Sequence, residues 1–179
     1  MSKEKQRLAA IGENMVIVRL LQEGVDAINA NNIHTNYARV DILCPKDDGF
    51  TQVQVKTSDE KRPNFPTGLS ISQAEDRSII EKAVIGPWVF VHTKGEGQQM
   101  SFDFYILSRE ETIDLIYESN QWYLNGYRRA TEIKKTSLVG VKLSWIKGEG
   151  EQNTARHSAF TPRIKPGSSK DAWHKVLEQ

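Results

Sequence analysis

Cysteine is almost missing from this chain: Cys44 is the only one in 179 residues. That excludes a disulfide within one copy and any zinc site built on cysteines. Long apolar runs are missing as well. None approaches the roughly 18–20 residues needed to span a bilayer, and the opening Met1-Ser2-Lys3-Glu4-Lys5-Gln6-Arg7 lacks the apolar stretch of a signal peptide. A cytoplasmic protein with no membrane partner is therefore expected. The four histidines, His34, His92, His157 and His174, show no ligand spacing. There is no Gly-x-Ser-x-Gly turn to expose a nucleophilic serine. Gly95-Glu96-Gly97 and Gly148-Glu149-Gly150 lack the Lys-Ser/Thr or helix context of a phosphate-cradling loop. An excess of one charge is missing too, since the net charge is +1. Its distribution is uneven: from Arg128 onward 11 lysines and arginines face 5 acids, a balance of +6, and the first 127 residues carry −5. A basic C-terminal half suits a polyanion, and it equally suits charges clustered on a solvated surface.

What is present fits one compact domain. Residues 3–23 read as an amphipathic helix, with Leu8, Ile11, Met15, Val18 and Leu21 at spacings of three and four and Gly24 as its stop. A short strand is expected over 25–28 and a polar loop over 29–36. Residues 58–70 read as a loop full of breakers. Ser72 and Glu75 stand in capping-box register for a second helix, ended by Gly86-Pro87. Residues 88–92 and 102–107 read as strands. Ser108 and Glu111 open a helix to about Tyr117, and Asn125-Gly126 suggests a tight turn. A strand is expected over 140–146, a long loop over 148–169 and a short helix over 171–177. This order predicts an α/β fold with a mixed central sheet flanked by helices.

The most telling stretch is Tyr37-Ala38-Arg39-Val40-Asp41-Ile42-Leu43 followed by Gln52-Val53-Gln54-Val55-Lys56-Thr57, two strands by alternation and β-branched content. Between them, residues 45–50 carry turn signals. A hairpin with Cys44 opposite Thr51 places Asp41 opposite Gln54. An acid, an amide oxygen and a lysine then share one sheet surface, which suits a divalent cation and a phosphate better than a core.

With Glu13 in the first helix, Asp41 in Arg-Val-Asp-Ile-Leu and Gln54-Val55-Lys56 in the next strand, residues 6–108 resemble the PD-(D/E)XK nuclease superfamily. Its restriction-endonuclease-like core runs helix, three strands, helix, strand. Here Val40 stands for the proline of the family's name and Gln54 for its usual acid. Residues past 108 have no assigned counterpart in the family. The chain is read as a nuclease-like α/β domain over 1–147 with a C-terminal extension over 148–179, a polar loop and short helix that is part of that domain or appended to it. The resemblance implies Mg²⁺, with Mn²⁺ as substitute: a hard ion that takes oxygen ligands, keeps several waters and needs only one or two carboxylates. Asp41 would be the principal ligand, joined by the Gln54 side-chain oxygen, the Val55 backbone carbonyl and Glu13. Lys56 would sit beside the attacking water or the charge growing on phosphorus.

Each residue also has a plainer role. Asp41 could cap a turn or pair with Arg39, Gln54 and Lys56 could face solvent on an edge strand, and Glu13 could complement the helix dipole. Gln73 stands where some relatives place a polar active-site residue, or on a helix surface. Tyr117, Trp122, Tyr123 and Tyr127 suit packing more than base stacking. Arg128, Arg129, Lys134 and Lys135, with Lys142, could track phosphates. The expected function is metal-dependent phosphodiester hydrolysis, with DNA the expected nucleic acid and a homodimer the expected assembly for cutting two strands. The competing expectations are a non-catalytic nucleic-acid-binding or assembly module that retains the nuclease fold, and an interaction protein without nucleic acid.

Overall fold

The first helix, α1 (Lys3–Gln22), starts where the Ser2 side chain accepts a hydrogen bond from the Lys5 N–H. It ends at Gly24, whose φ of +80° suits glycine and whose N–H donates to Leu21 O. The structure is a computed structural model that describes residues 2–32, 39–126, 133–151 and 159–177. The face α1 buries differs from the expected one: Gly12, Val16 and Leu20 are buried, whereas Val18 is 43% exposed and Leu21 52% exposed. The reason is close packing. A Cβ on Gly12 would collide with the Thr57 side chain, so the helix lies on the sheet along its smallest residue, a preference hydrophobic spacing does not reveal.

The strands are β1 (Ile28–Asn29), β2 (Ile42–Lys46), β3 (Gly49–Ser58), β4 (Asn64–Ser70), β5 (Trp88–Lys94), β6 (Ser101–Leu107) and β7 (Leu138–Lys142). A five-stranded sheet runs β1-β2-β3-β5-β6, with β3 and β5 parallel and the other neighbours antiparallel. β4 and β7 form a separate antiparallel pair. The hairpin has the expected register, Cys44 opposite Thr51 and Ile42 opposite Val53. Its turn is shorter than expected, because Pro45 and Lys46 extend β2 and leave only Asp47-Asp48 before Gly49 at φ +140°. The first strand also starts later than expected: Arg39, Val40 and Asp41 precede β2, and residues 33–38 lie outside the described residues.

Both faces of the sheet are covered. Val53, Val55, Val89, Val91, Phe104 and Ile106 pack with Val16 and Leu20 of α1 and Trp173 and Val176 of the C-terminal segment. On the other face, Trp88, Phe90, Tyr105 and Leu107 pack with α2 (Arg77–Ala83), α3 (Arg109–Gly126) and the β4–β7 pair. The fold is α/β, a mixed sheet flanked by helices.

Several local expectations are corrected. Residues 64–70 form β4 rather than loop: Phe65, Thr67 and Leu69 are buried in alternation, and the breakers Pro66 and Gly68 sit where the pairing with β7 shifts register. The short strand expected over 25–28 is only β1, since Val25 instead closes the end of α1 by donating to Leu20 O. The second helix is capped by Asp76, which accepts from the Ser78 N–H. Ser72 makes no capping bond to the short 3-10 turn Gln73–Glu75, because Ser70 and Gln73 exchange bonds there instead. Helix α3 continues to Gly126, since Trp122 packs on Trp145 and Phe160 and holds residues 118–126 helical. The strand expected over 140–146 ends at Lys142, and α4 (Leu143–Ile146) buries Leu143, Trp145 and Ile146. Past residue 148, Phe160 and Ile164 enter the core, and the chain runs beside β6, with Ile106 N–H donating to Ser169 O and Asp171 N–H to Phe104 O. It closes with α5 (His174–Leu177).

Candidate active site

The hairpin opens at Asp41. One residue before β2, Asp41 still donates its N–H to Val53 O, and its carbonyl accepts from the Ala30 N–H, each at 2.9 Å. Arg39, at φ +66°, turns the chain away just before it. β3 continues alone past that point. Gln54 N–H donates to Pro87 O on the β5 side, so the N–H and C=O of Val55 face the side β2 has left. The Asp41 carboxylate occupies that gap and accepts the Val55 N–H through Oδ2 at 2.7 Å. Thus the side chain replaces the missing ladder partner.

Glu13 enters from the helix. The seating of Gly12 on Thr57 brings α1 down on β3, and the next residue is half-buried. Asn29 of β1 donates its side-chain N–H to Glu13 Oε2 at 3.1 Å. Burial pushes the Glu13 carboxyl above its ordinary pKa, the nearby Asp41 charge pushes it further, and the Asn29 hydrogen bond pulls it back. Burial likewise raises Asp41, opposed by the Val55 N–H and by Lys56. The Asp41 charge acts on Glu13 in the direction that a bound cation would relieve.

Lys56 lies two positions beyond Gln54 on the same strand face. Burial lowers its pKa and the Asp41 charge raises it again. Its Nζ stands 5.2 Å from the centroid of the Trp88 ring, and Trp88 is opposite Gln54 across the parallel β3–β5 ladder and buried. An ammonium over an indole face is held electrostatically. The lysine is thus fixed between an acid and an aromatic ring.

Glu13, Asp41 and Lys56 therefore come together, and Gln54, one residue past the last ladder pair Ile42–Val53, has a half-exposed side chain. Among the described residues no group of three or more His, Cys, Asp and Glu side chains could hold a metal ion. A cation here would rest on the two carboxylates completed by neutral oxygens. Hydrogen bonds take Asp41 Oδ2 and Glu13 Oε2, so the second oxygen of each is the one that can turn to an ion. The Val55 carbonyl faces the same gap. This all-oxygen set fits Mg²⁺, which fills the remaining positions with water and phosphate.

Other candidates lie apart. Lys135 pairs with Glu75 at 2.7 Å, and Lys134 is exposed beside it. Arg128, Arg129 and Tyr127 lie outside the described residues. Gln73 is exposed and accepts the Ser70 N–H. Tyr117, Trp122 and Tyr123 pack against the core cluster. Sequence reasoning missed Asn29, which orients Glu13, and Trp88, which seats Lys56. The first lies in a stretch that reads as loop, and the second meets Gln54 only through pairing across 34 residues of chain.

The sequence matches no protein-family model and no curated protein. Among solved structures, the chain is similar to the bacterial homing endonuclease I-Ssp6803I at 14% sequence identity and a TM-score of 0.41, over 97% of this chain and 93% of that one. No helix among the described residues is long and apolar enough to cross a membrane.

Proposed function

We propose that this chain is a metal-dependent nuclease of the PD-(D/E)XK type, hydrolysing phosphodiesters in nucleic acid and acting as a DNA endonuclease. The observation that carries the reading is the meeting of Glu13 from α1, Asp41 from the opened hairpin and Lys56 from β3, each charge displaced by burial and by its neighbour. A structural ion pair would need only Asp41 and Lys56. The second carboxylate, held in place by Asn29, has no cationic partner among the described residues, and a metal cation would balance it.

Asp41, Glu13, the Gln54 amide oxygen and the Val55 carbonyl would hold Mg²⁺ or Mn²⁺. Bound there, the ion would polarise the phosphate and lower the pKa of a coordinated water. The protein's own part is placement. The Val55 N–H fixes the Asp41 carboxylate, Asn29 fixes Glu13, and Trp88 holds the Lys56 ammonium facing the site. From there Lys56 would donate to the phosphate oxygens as negative charge grows on them. Cutting both strands of a duplex calls for two such sites, which a homodimer would supply.

One feature favours a second reading, a nucleic-acid-binding or assembly module that retains this fold without catalysis. Gln54 brings no charge to a site that holds two carboxylates among the described residues. The deciding experiment is cleavage of plasmid, single-stranded DNA and RNA with Mg²⁺ or Mn²⁺, comparing the parent with Asp41→Ala and Lys56→Ala. Cleavage that both substitutions abolish supports the nuclease. Cleavage that neither affects sinks the assigned site, and salt-dependent binding without cleavage supports the module.

A further inference from the structure

The β4–β7 pair separates two concavities that share a wall. Asn64 and Lys142 face each other across the ladder and line both. On one side is a cavity of about 330 Å³ bordered by Trp122, Tyr123 and Trp145. On the other is an open groove of about 450 Å³ lined by Lys61, Arg62, Lys142 and Lys147, with Glu149 as its acid. Lys142 joins the two: its Nζ lies 4.9 Å from the Trp145 ring centroid and pairs with Glu151, which also borders the cavity. Trp145 is 5% exposed, and among the described residues its indole N–H, itself closed to solvent, has no hydrogen-bond partner. A buried donor without an acceptor is uncommon in a folded protein.

Aromatic walls suit a planar ring, and adjoining cations suit phosphate. The chemistry that joins the two within one ligand is a nucleotide. Three cations besides the paired Lys142 exceed what one phosphate needs, and the groove opens at Lys61, three residues past the end of β3, the strand that carries Gln54 and Lys56. We propose that these concavities bind an unpaired nucleotide within a nucleic-acid strand, the base in the cavity and the flanking phosphates in the groove. The proposal rests on the nucleic-acid reading above, and it adds that this protein engages single-stranded or locally opened substrate.

The test measures binding by fluorescence anisotropy in EDTA, so that no cleavage enters the readout. A short single-stranded oligonucleotide is compared with an abasic strand of equal phosphate count and with a free nucleoside monophosphate. The intact strand is expected to bind about tenfold more tightly than the abasic one. Tyr123→Leu should remove that difference, whereas Arg62→Ala and Lys147→Ala should weaken both strands alike and each reduce the salt slope by about one. Equal affinity of intact and abasic strands overturns the site. A monophosphate binding as tightly as the strand overturns the assignment to a strand. The abasic comparison requires no variant, so misfolding of Tyr123→Leu would leave the test intact. Metal-dependent cleavage without a base preference would remove this site and leave the nuclease standing, and a base preference without cleavage would do the reverse.

Discussion

The Asp41 carboxylate and the Val55 amide meet at 2.7 Å, at the point where β2 parts from β3. The bond makes one aspartate both a structural plug for the open ladder and a charged group facing Glu13 and Lys56. Substitutions can separate the two roles. Asp41→Asn keeps an oxygen for the Val55 N–H and removes the charge. It should lower cleavage by about 10²–10³-fold or more while leaving the thermal midpoint unchanged or higher. Asp41→Ala should lose activity and also destabilise, by roughly 1–3 kcal/mol, because the Val55 N–H is left without a partner. Calorimetry beside a cleavage assay distinguishes the two variants.

Lys56→Met should depress kcat by about 10²-fold with a smaller change in KM, as expected for a group that acts mainly on the developing charge. Lys56 also lowers the Asp41 pKa. Its removal should therefore shift the acidic limb of the pH–rate profile to higher pH, and an unmoved limb would contradict the coupling.

Stability should depend on pH and metal together. Glu13 and Asp41 both titrate above their ordinary 4.5 and 3.8 in the folded protein. The folded state then holds these protons more tightly than the unfolded chain does. The resulting stability is fully present below the ordinary values and is lost as pH rises through the raised ones. Near pH 8 in EDTA, Glu13→Gln should raise the thermal midpoint by relieving the charge pair. Added Mg²⁺ should stabilise the parent, by about 2.7 kcal/mol at a concentration 100 times Kd, and should have little effect on Glu13→Gln/Asp41→Asn. An equal metal response in parent and double variant would refute a cation at this pair.

Gly12 is the contact on which Glu13 depends. A Cβ there meets the Thr57 side chain, so Gly12→Ala should cost about 1–3 kcal/mol through overpacking and lower cleavage by lifting Glu13. Combining it with Thr57→Ala should recover part of the stability, a non-additivity that chemical denaturation of the four proteins of the cycle would measure.

Phe65 reports on β4. It is 1% exposed and meets Phe90 edge-on at 5.2 Å. Phe65→Ala should cost about 3–5 kcal/mol, whereas truncation of a residue in a solvated loop would cost little. Urea unfolding decides between them.

Short-range structure was largely legible. The breakers between two alternating segments located the hairpin, and a side-chain period of two set its register at Cys44 and Thr51. Glycine at 24 stopped α1, and Ser108 with Glu111 opened α3: the Glu111 carboxylate accepts the Ser108 N–H and Ser108 Oγ accepts the Glu111 N–H. The errors share a cause. Residues 64–70 read as loop because their strand partner lies 68 or more positions later in the chain, and residues 122–124 read as non-helical because packing on Trp145 and Phe160 overrides weak local propensity.

The amino-acid order alone determined the hairpin register as far as Ile42 opposite Val53 and put Lys56 on the strand face of Gln54, since turn chemistry and alternation act within a few residues. Tertiary structure decided the rest of the site. The docking of α1 through Gly12 brought Glu13 to Asp41, and the parallel pairing of β5 with β3 put Trp88 under Lys56. These contacts join segments far apart in the chain, and they form because burying both faces of the sheet stabilises one arrangement of the whole. No local pattern encodes them.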